Sequence, residues 1–167
     1  MPTALITGGT TGIGSATADL LHSRGYQVAV TGQNADSLAR ARSELPDHVL
    51  VVRSDARVLG SRRGGPGATV GAATRGALPA MVPSLALELA PRRIRVNAVS
   101  PGITDTPLID KLGSPQSGRD AMRSKIPFKR FGSSQEVAEV VAFLASDAAG
   151  YITGQDVTVA GGYGLGA

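Results

Sequence analysis

The sequence predicts an α/β fold in three layers, a parallel sheet of about five strands with helices on both faces. Two observations predict it. Over residues 3–52, apolar strand-like runs alternate with amphipathic helical runs in the order strand, helix, strand, helix, strand. That order favours parallel strands joined by right-handed crossovers. A glycine-rich turn stands between the first strand and the first helix. The 167 residues, 42% of them apolar, fit one core and one domain covering 1–167.

Thr3–Thr7 is a short apolar run that stops at glycines, as a buried strand does. Residues 13–23 read as a helix with Leu20 and Leu21 toward the core and Gly25 just past its end. Gln27–Thr31 reads as the second strand. Asn34 is placed to cap a helix through Leu38, Ala41 and Leu45, which Pro46 ends. His48–Val52 reads as the third strand. Residues 60–67 are rich in glycine and arginine and read as loop. A helical stretch follows with Leu78, Val82, Leu85 and Leu89 on one face, and Pro79 and Pro83 are expected to interrupt it unless one of them opens a new helix at its first position. Ile94–Val99 reads as a further strand. Ser133 and Glu136 have capping-box spacing ahead of a helix that buries Val137, Val140, Val141 and Leu144. Asp156–Val159 reads as the last strand.

Composition removes several function classes. The chain has no cysteine, which excludes disulfides, thiolate catalysis and cysteine zinc sites. Its two histidines, His22 and His48, suit a helix face and a strand approach, so no metal site is expected. No apolar run approaches the length of a membrane span, and no secretory pattern opens the chain, so a cytoplasmic location is expected. The net charge is +4. The arginine-glycine stretch at 53–67 carries no aromatic residue for base stacking, which argues against nucleic acid as a partner.

The turn reads Thr7-Gly8-Gly9-Thr10-Thr11-Gly12-Ile13-Gly14. A pyrophosphate at a helix start is held by backbone amides and the helix dipole, and a side chain in its path would block it. Gly8 and Gly12 leave that path bare, and Gly14 lets helix and strand pack closely. Strand before and helix behind is the context that gives such a motif meaning. A triphosphate P-loop needs a lysine directly after Gly14, and Ser15 stands there. About 20 residues beyond the glycines a carboxylate would bind the ribose of NAD. Gly32, Gln33 and Asn34 stand there instead. With no acid to repel a 2′-phosphate, NADP is weakly preferred over NAD.

These segments resemble the short-chain dehydrogenase/reductase family, and its 3-oxoacyl-carrier-protein-reductase-like branch in particular. Thr7-Gly8-x-x-x-Gly12-Ile13-Gly14 is similar to the family's Rossmann cofactor motif, with Thr10 and Thr11 inside it. Asp55 resembles its adenine-binding aspartate. Arg95–Gly102 is similar to its sixth strand and following turn, and Ile103–Thr106 to the segment that holds the nicotinamide and phosphates. Residues 151–155 and 161–163 resemble its C-terminal region. The resemblance covers roughly 3–58 and 76–166. It implies a dinucleotide cofactor, NADP or NAD, and a homo-oligomer. The residues it assigns to the cofactor are Gly8, Thr10, Thr11, Gly12, Ile13, Gly14, Gln33, Asn34, Asp55, Pro101, Gly102, Ile103 and Thr106.

The departures bear on chemistry. The family's fourth strand, a long helix and a fifth strand with a catalytic serine have no counterpart after Asp55. The helix that opens with Tyr-x-x-x-Lys in relatives has Gly71 at the tyrosine position and Arg75 at the lysine position. Glycine has no proton to give, and an arginine effectively never releases one. No catalytic residue is carried over, and catalysis is expected to be impaired or absent. The alternative is a non-catalytic nucleotide-binding module that pairs with a full-length relative. Removal of central strands leaves the first strand with an open edge, which the 94–99 strand is expected to fill in the order 3-2-1 and then the two C-terminal strands. A domain-swapped or dimeric arrangement is the second option.

Overall fold

The structure, a computed structural model, describes residues 2–32, 34–46, 49–53, 69–107, 109 and 115–165. Its elements in chain order are β1 (Thr3–Thr7), α1 (Gly12–Ser23), β2 (Gln27–Gly32), α2 (Ala35–Glu44), β3 (Leu50–Arg53), α3 (Thr69–Leu89), β4 (Ala98–Pro101), β5 (Thr104–Asp105), α4 (Gln116–Ser124), β6 (Gly132–Ser133), α5 (Ser134–Ala145) and β7 (Asp156–Val159). They fall into two compact units. One comprises Met1–Ala56, Pro101–Ala142 and Val159–Ala167, and the other Arg57–Ser100 and Phe143–Thr158.

The first unit holds the expected α/β alternation. β1, β2 and β3 are hydrogen-bonded in that order, and both pairings are parallel. The register sets Leu5 beside Ala29 and Ala29 beside Leu50. Strand side chains alternate between faces, so Val28 and Val30 turn to the opposite face. There they join Ala18 and Leu21 of α1, Ala41 of α2, Leu45, Val49 and Ala142 in one buried cluster. Full burial of one such aliphatic side chain stabilises by roughly 1.5–3 kcal/mol. The other face of the sheet is less covered, for Leu5 is 68% exposed and Leu50 62% exposed. A parallel sheet ordinarily has both faces covered.

α1 ends where glycine allows. Gly25 takes a φ of +84°. Its amide bonds to His22 O at 2.9 Å and the Tyr26 amide to Leu21 O at 3.1 Å, so the last carbonyls of the helix are satisfied. Elsewhere in the unit β5 and β6 pair in parallel. Ile109, Ile126 and Phe131 make a second buried cluster, with Ile103, Met122 and Tyr163 packed against it. The guanidinium carbons of Arg119 and Arg123 sit 5.7 and 5.0 Å from the centre of the Phe131 ring. Such cation–π contacts let these arginine stems cover an aromatic residue. Both arginines belong to α4.

In the second unit α3 runs unbroken for 21 residues through Pro79 and Pro83, where an interruption was expected. Pro83 is exposed. A proline at this position leaves the carbonyl one turn earlier without its amide partner. Val82 and Ala86 are buried, Leu85 and Leu89 are half-buried, and Met81 and Leu87 are exposed.

The strand expected at Ile94–Val99 starts only at Ala98. Side chains replace the ladder over the preceding residues. Nη1 of Arg95 donates to Leu144 O at 2.7 Å and Nη2 to Ser146 O at 3.2 Å. The Val96 amide donates to Thr153 Oγ1, and Asn97 Nδ2 to Ile152 O. Val96 O accepts from Gly154 N at 2.7 Å, so both backbone groups of Val96 are bonded outside a regular ladder. β4 pairs with β7. The bonds from Ala98 N to Gln155 O and from Gly102 N to Val159 O advance together along both strands, the pattern of a parallel pair.

One expectation about the sheet is corrected. The C-terminal strands do not continue the β3-β2-β1 order. Among the described residues they hydrogen-bond to each other in a separate two-stranded sheet, and β1 bonds only to β2. Side-chain bonding over 95–97 shortens the strand that was to fill the open edge. The third strand starts at Leu50 with Val49 outside it, and its expected first residue, His48, lies outside the described residues.

Candidate functional site

The glycine turn is built as its spacing requires. Gly8 has a φ of +72° and Gly12 of +56°, left-handed values that side chains resist. Space beside Gly8 is open, and a Cβ there would meet nothing within 4 Å. At Gly14 the reason for glycine is contact. A Cβ there would lie 2.3 Å from Gly8 O and 2.9 Å from Gly9 Cα. Gly9, absent from the residues predicted for the site, is equally constrained, since its Cβ would fall 2.7 Å from Val30 Cβ.

α1 begins with its amides open. Thr11 is its N-cap in an extended conformation and makes no side-chain cap bond, and no acid lies in the first turn. Those N–H groups and the positive end of the helix dipole are therefore opposed by neither a side-chain cap nor a nearby acid. Ile13 and Gly14 follow in that first turn.

Residues far apart in sequence meet at this point. A Cβ on Gly12 would stand 3.3 Å from Thr106 Cγ2. Thr106 follows β5, and the turn leading to it is fixed on both sides. Pro101 ends β4, and Gly102 N donates to Val159 O at 2.9 Å. A Cβ on Gly102 would lie 2.7 Å from Ala160 Cβ. Ile103 O accepts from Gly132 N at 3.0 Å, and Ile103 also lines a cavity of about 130 Å³ with Phe128, Val137 and Val159. Gly8 through Gly14, Pro101, Gly102, Ile103 and Thr106 are thus held in one unit, with Gly12 against Thr106.

The C-terminal end of β2 is the third part. Asn34 caps α2, its Oδ1 accepting from Asp36 N at 2.8 Å and Ser37 N at 3.2 Å. Thr10 is buried, and its Oγ1 lies 3.2 Å from Ser37 Oγ. Ser37 Oγ also donates to Asn34 O at 3.0 Å. Sequence reading missed Ser37, although its position three residues after an N-cap asparagine is the available signal. Gln33 and Asp55, both expected at the adenosine end, lie outside the described residues.

No acid–base pair is built here among the described residues. Gly71 and Arg75, at the tyrosine and lysine positions, both fall within α3. Tyr26 packs against the first buried cluster, Tyr163 against the second, and Tyr151 is fully exposed. The largest electrostatic effect lies elsewhere. Arg130 grips Glu136 with two bonds, Nη2 to Oε1 at 2.6 Å and Nη1 to Oε2 at 2.8 Å. Glu136 Oε2 also accepts from Ser133 N at 2.8 Å, while Ser133 Oγ accepts from Glu136 N at 3.1 Å. The Arg130 hydrogen bond, then the Ser133 amide, hold the Glu136 carboxyl down at about 2. This is a closed capping box at the start of α5.

Comparison with known proteins agrees with this geometry. Residues 2–61 match the family model described as short chain dehydrogenase, and residues 56–164 match the one described as Enoyl-(Acyl carrier protein) reductase. The 3-oxoacyl-(acyl-carrier-protein) reductase FabG of Thermotoga maritima is 48% identical over 99 residues, which are 59% of this chain and 39% of that relative. The enzyme of the same name from Rickettsia felis is 31% identical over 232 positions, covering 96% of this chain and 95% of the relative. Since this chain has 167 residues, at least 65 of those 232 positions stand opposite a gap in it. Among solved structures, a putative betaketoacyl-ACP reductase matches with a TM-score of 0.80 at 25% identity, over 97% of this chain and 98% of that one. YwfH, described as an NADPH dependent reductase involved in bacilysin biosynthesis, matches with a TM-score of 0.86 at 21% identity, over 99% of each chain, a likeness of fold. No helix among the described residues is long and apolar enough to cross a membrane.

Proposed function

The chain belongs to the short-chain dehydrogenase/reductase family, and from that premise we propose that it binds an NAD(P) dinucleotide at the start of α1 without the family's tyrosine-driven proton transfer. The observation that carries the reading is the uncapped N-terminus of α1, set beside Thr106 by the bare Gly12. The residues present fit a pyrophosphate. The amides of the first turn of α1 are free of side-chain caps, Gly8 leaves open space, and no carboxylate stands in that turn to repel an anion. Gly8 to Gly14 would hold the diphosphate. Thr10, Gln33, Asn34 and Asp55 would meet the adenosine half, and Pro101, Gly102, Ile103 and Thr106 the nicotinamide half.

Such a cofactor supplies hydride transfer when bound, and the protein must supply the proton. Gly71 has no group for that step, and Arg75 keeps its charge at any working pH. Reduction of a ketone is therefore impaired or absent. The test is to add NADPH and NADH to the purified chain, first in calorimetry and then with a 3-oxoacyl substrate in a stopped assay. Micromolar binding without turnover is the expected result. A steady cofactor-dependent reduction rate would show that another group donates the proton.

A second reading is an interaction module that joins a second copy or a full-length relative. The exposed Met81 and Leu87 of α3 favour it. Light scattering of the purified chain, alone and mixed with a full-length relative, separates the two.

A further inference from the structure

The cavity beside Ile103 draws most of its walls from segments that take no part in the proposed dinucleotide site. Its volume is about 130 Å³, and its described lining includes Gly132 of β6, Val137 of α5 and Val159 of β7. Val137 is 1% exposed and marks the inner end, while Phe128 is 69% exposed and marks the mouth. Ile103 and Val159, both half-buried, extend the apolar wall between them. Gly161 lets the mouth come close. Its φ is +57°, and a Cβ there would lie 3.2 Å from Ile126 Cγ2 and 3.3 Å from Phe128 Cβ. The Phe128 amide donates to Gly161 O at 3.2 Å, which ties the aromatic residue to the rim although its side chain meets water.

Size and charge together select a ligand. An apolar cavity of about 150 Å³ holds benzene. The charged residues of the described lining are Arg130 and Glu136, and they pair with each other through two bonds of 2.6 and 2.8 Å. An ion entering the cavity would lose its water without gaining a counter-ion, which disfavours charged ligands. A guanidinium has five N–H donors. Glu136 and Phe131 O take three of those of Arg130 among the described residues, leaving donors for a neutral acceptor.

We propose that this cavity is a second small-molecule site, one that takes an uncharged ring compound of about six to eight heavy atoms with one hydrogen-bond acceptor. The site shares Ile103 with the proposed nicotinamide half, and its occupation does not rest on that reading. Gly132 offers a way to fill it. Its φ lies outside the left-handed region, and a Cβ there would meet nothing nearer than 3.9 Å. A larger side chain at this strand position can therefore enter the cavity without backbone strain.

The test adds phenol, uncharged at neutral pH, to the isotope-labelled full chain and follows its amide resonances. Shifts should saturate with a dissociation constant of about 1 mM and centre on Gly132, Val137 and Gly161. Benzoate should bind at least about tenfold more weakly. Gly132→Val should keep the wild-type melting temperature and weaken phenol by more than about tenfold. Phe128→Ala, at the exposed mouth, should fold and weaken phenol by about fivefold, and it decides the matter if Gly132→Val unfolds. NADPH should leave the phenol shifts in place. The proposal falls if no saturable shifts appear up to about 20 mM phenol, or if they centre elsewhere. It falls too if benzoate matches phenol, if a folded variant binds phenol as the wild type does, or if NADPH displaces phenol. A chain that binds phenol but no NADPH loses the dinucleotide reading alone.

Discussion

Helices α1 and α2 each follow a strand of the same parallel sheet, yet they begin in opposite ways. Asn34 caps α2 through two amides, and Asp36 adds an acid to its first turn. Thr11 leaves α1 without a side-chain cap, and no acid follows. A missing cap costs a helix about 1 kcal/mol. α2 and α5 keep that stability for the fold, while α1 forgoes it. The glycines before α1 complete the contrast, for they exchange chain rigidity for access. The proposed dinucleotide site thus rests on what the local sequence withholds as much as on what it contains.

The comparison breaks most severely at Gly14. Gly14→Ala drives a methyl group to within 2.3 Å of Gly8 O. The atom it meets is backbone, so relief requires α1 to move away from the turn. A loss of about 3 kcal/mol of stability, the upper range of overpacking, is expected in urea denaturation, with nucleotide binding abolished. A variant of near wild-type stability would mean that the turn yields easily and that close packing is not why glycine stands there.

A gentler change makes α1 begin as α2 does. Thr11→Asp supplies an N-cap acceptor in a residue whose backbone is already extended. It should stabilise the fold by about 0.5–1 kcal/mol. The same carboxylate should weaken dinucleotide binding by more than about tenfold, since it competes for the amides and repels the pyrophosphate. Opposite signs in denaturation and calorimetry would sharpen the contrast, and a parallel loss of both would remove it.

The smallest effect belongs to α5, the other closed helix start. Glu136 titrates at about 2, below its ordinary value of 4.5, because Arg130 and the Ser133 amide hold it charged. A carboxyl lowered in the folded state binds more protons when unfolded, so stability rises with pH across that range. The contribution of Glu136 is complete above about 4.5 and is lost as pH falls toward 2. Glu136→Gln should therefore flatten the acid limb of the stability profile and leave dinucleotide binding at neutral pH unchanged. An acid limb identical to wild type would assign the pH dependence to other carboxyls.

Much of this contrast was legible before any coordinates. The Asn34 cap, the Ser133–Glu136 box and the glycine turn are local signals, each set by residues within one turn of a helix start. Strands β1 and β2 were also local, since their apolar runs end at glycine. The extent of the sheet was not. Whether residues 94–97 join a ladder depends on Arg95 and Asn97 finding carbonyls near residues 144–152, which no window of sequence reveals. The prolines of α3 misled for a related reason. Their cost depends on which side of the helix meets water, a property of packing. Within the site, Ser37 emerged only when the turn and α2 stood together.

The half-covered sheet of the first unit has a thermal consequence. Leu5, Leu50 and Val52 already face water in the folded chain. Unfolding therefore adds less new apolar hydration there than a sheet buried on both faces would give. Heat capacity of unfolding follows newly exposed apolar surface, about 12–15 cal/mol/K per residue in an ordinary domain. For this chain the value should lie below that range. Its stability then changes more gradually with temperature, a flatter curve whose origin is surface that folding never removed from water.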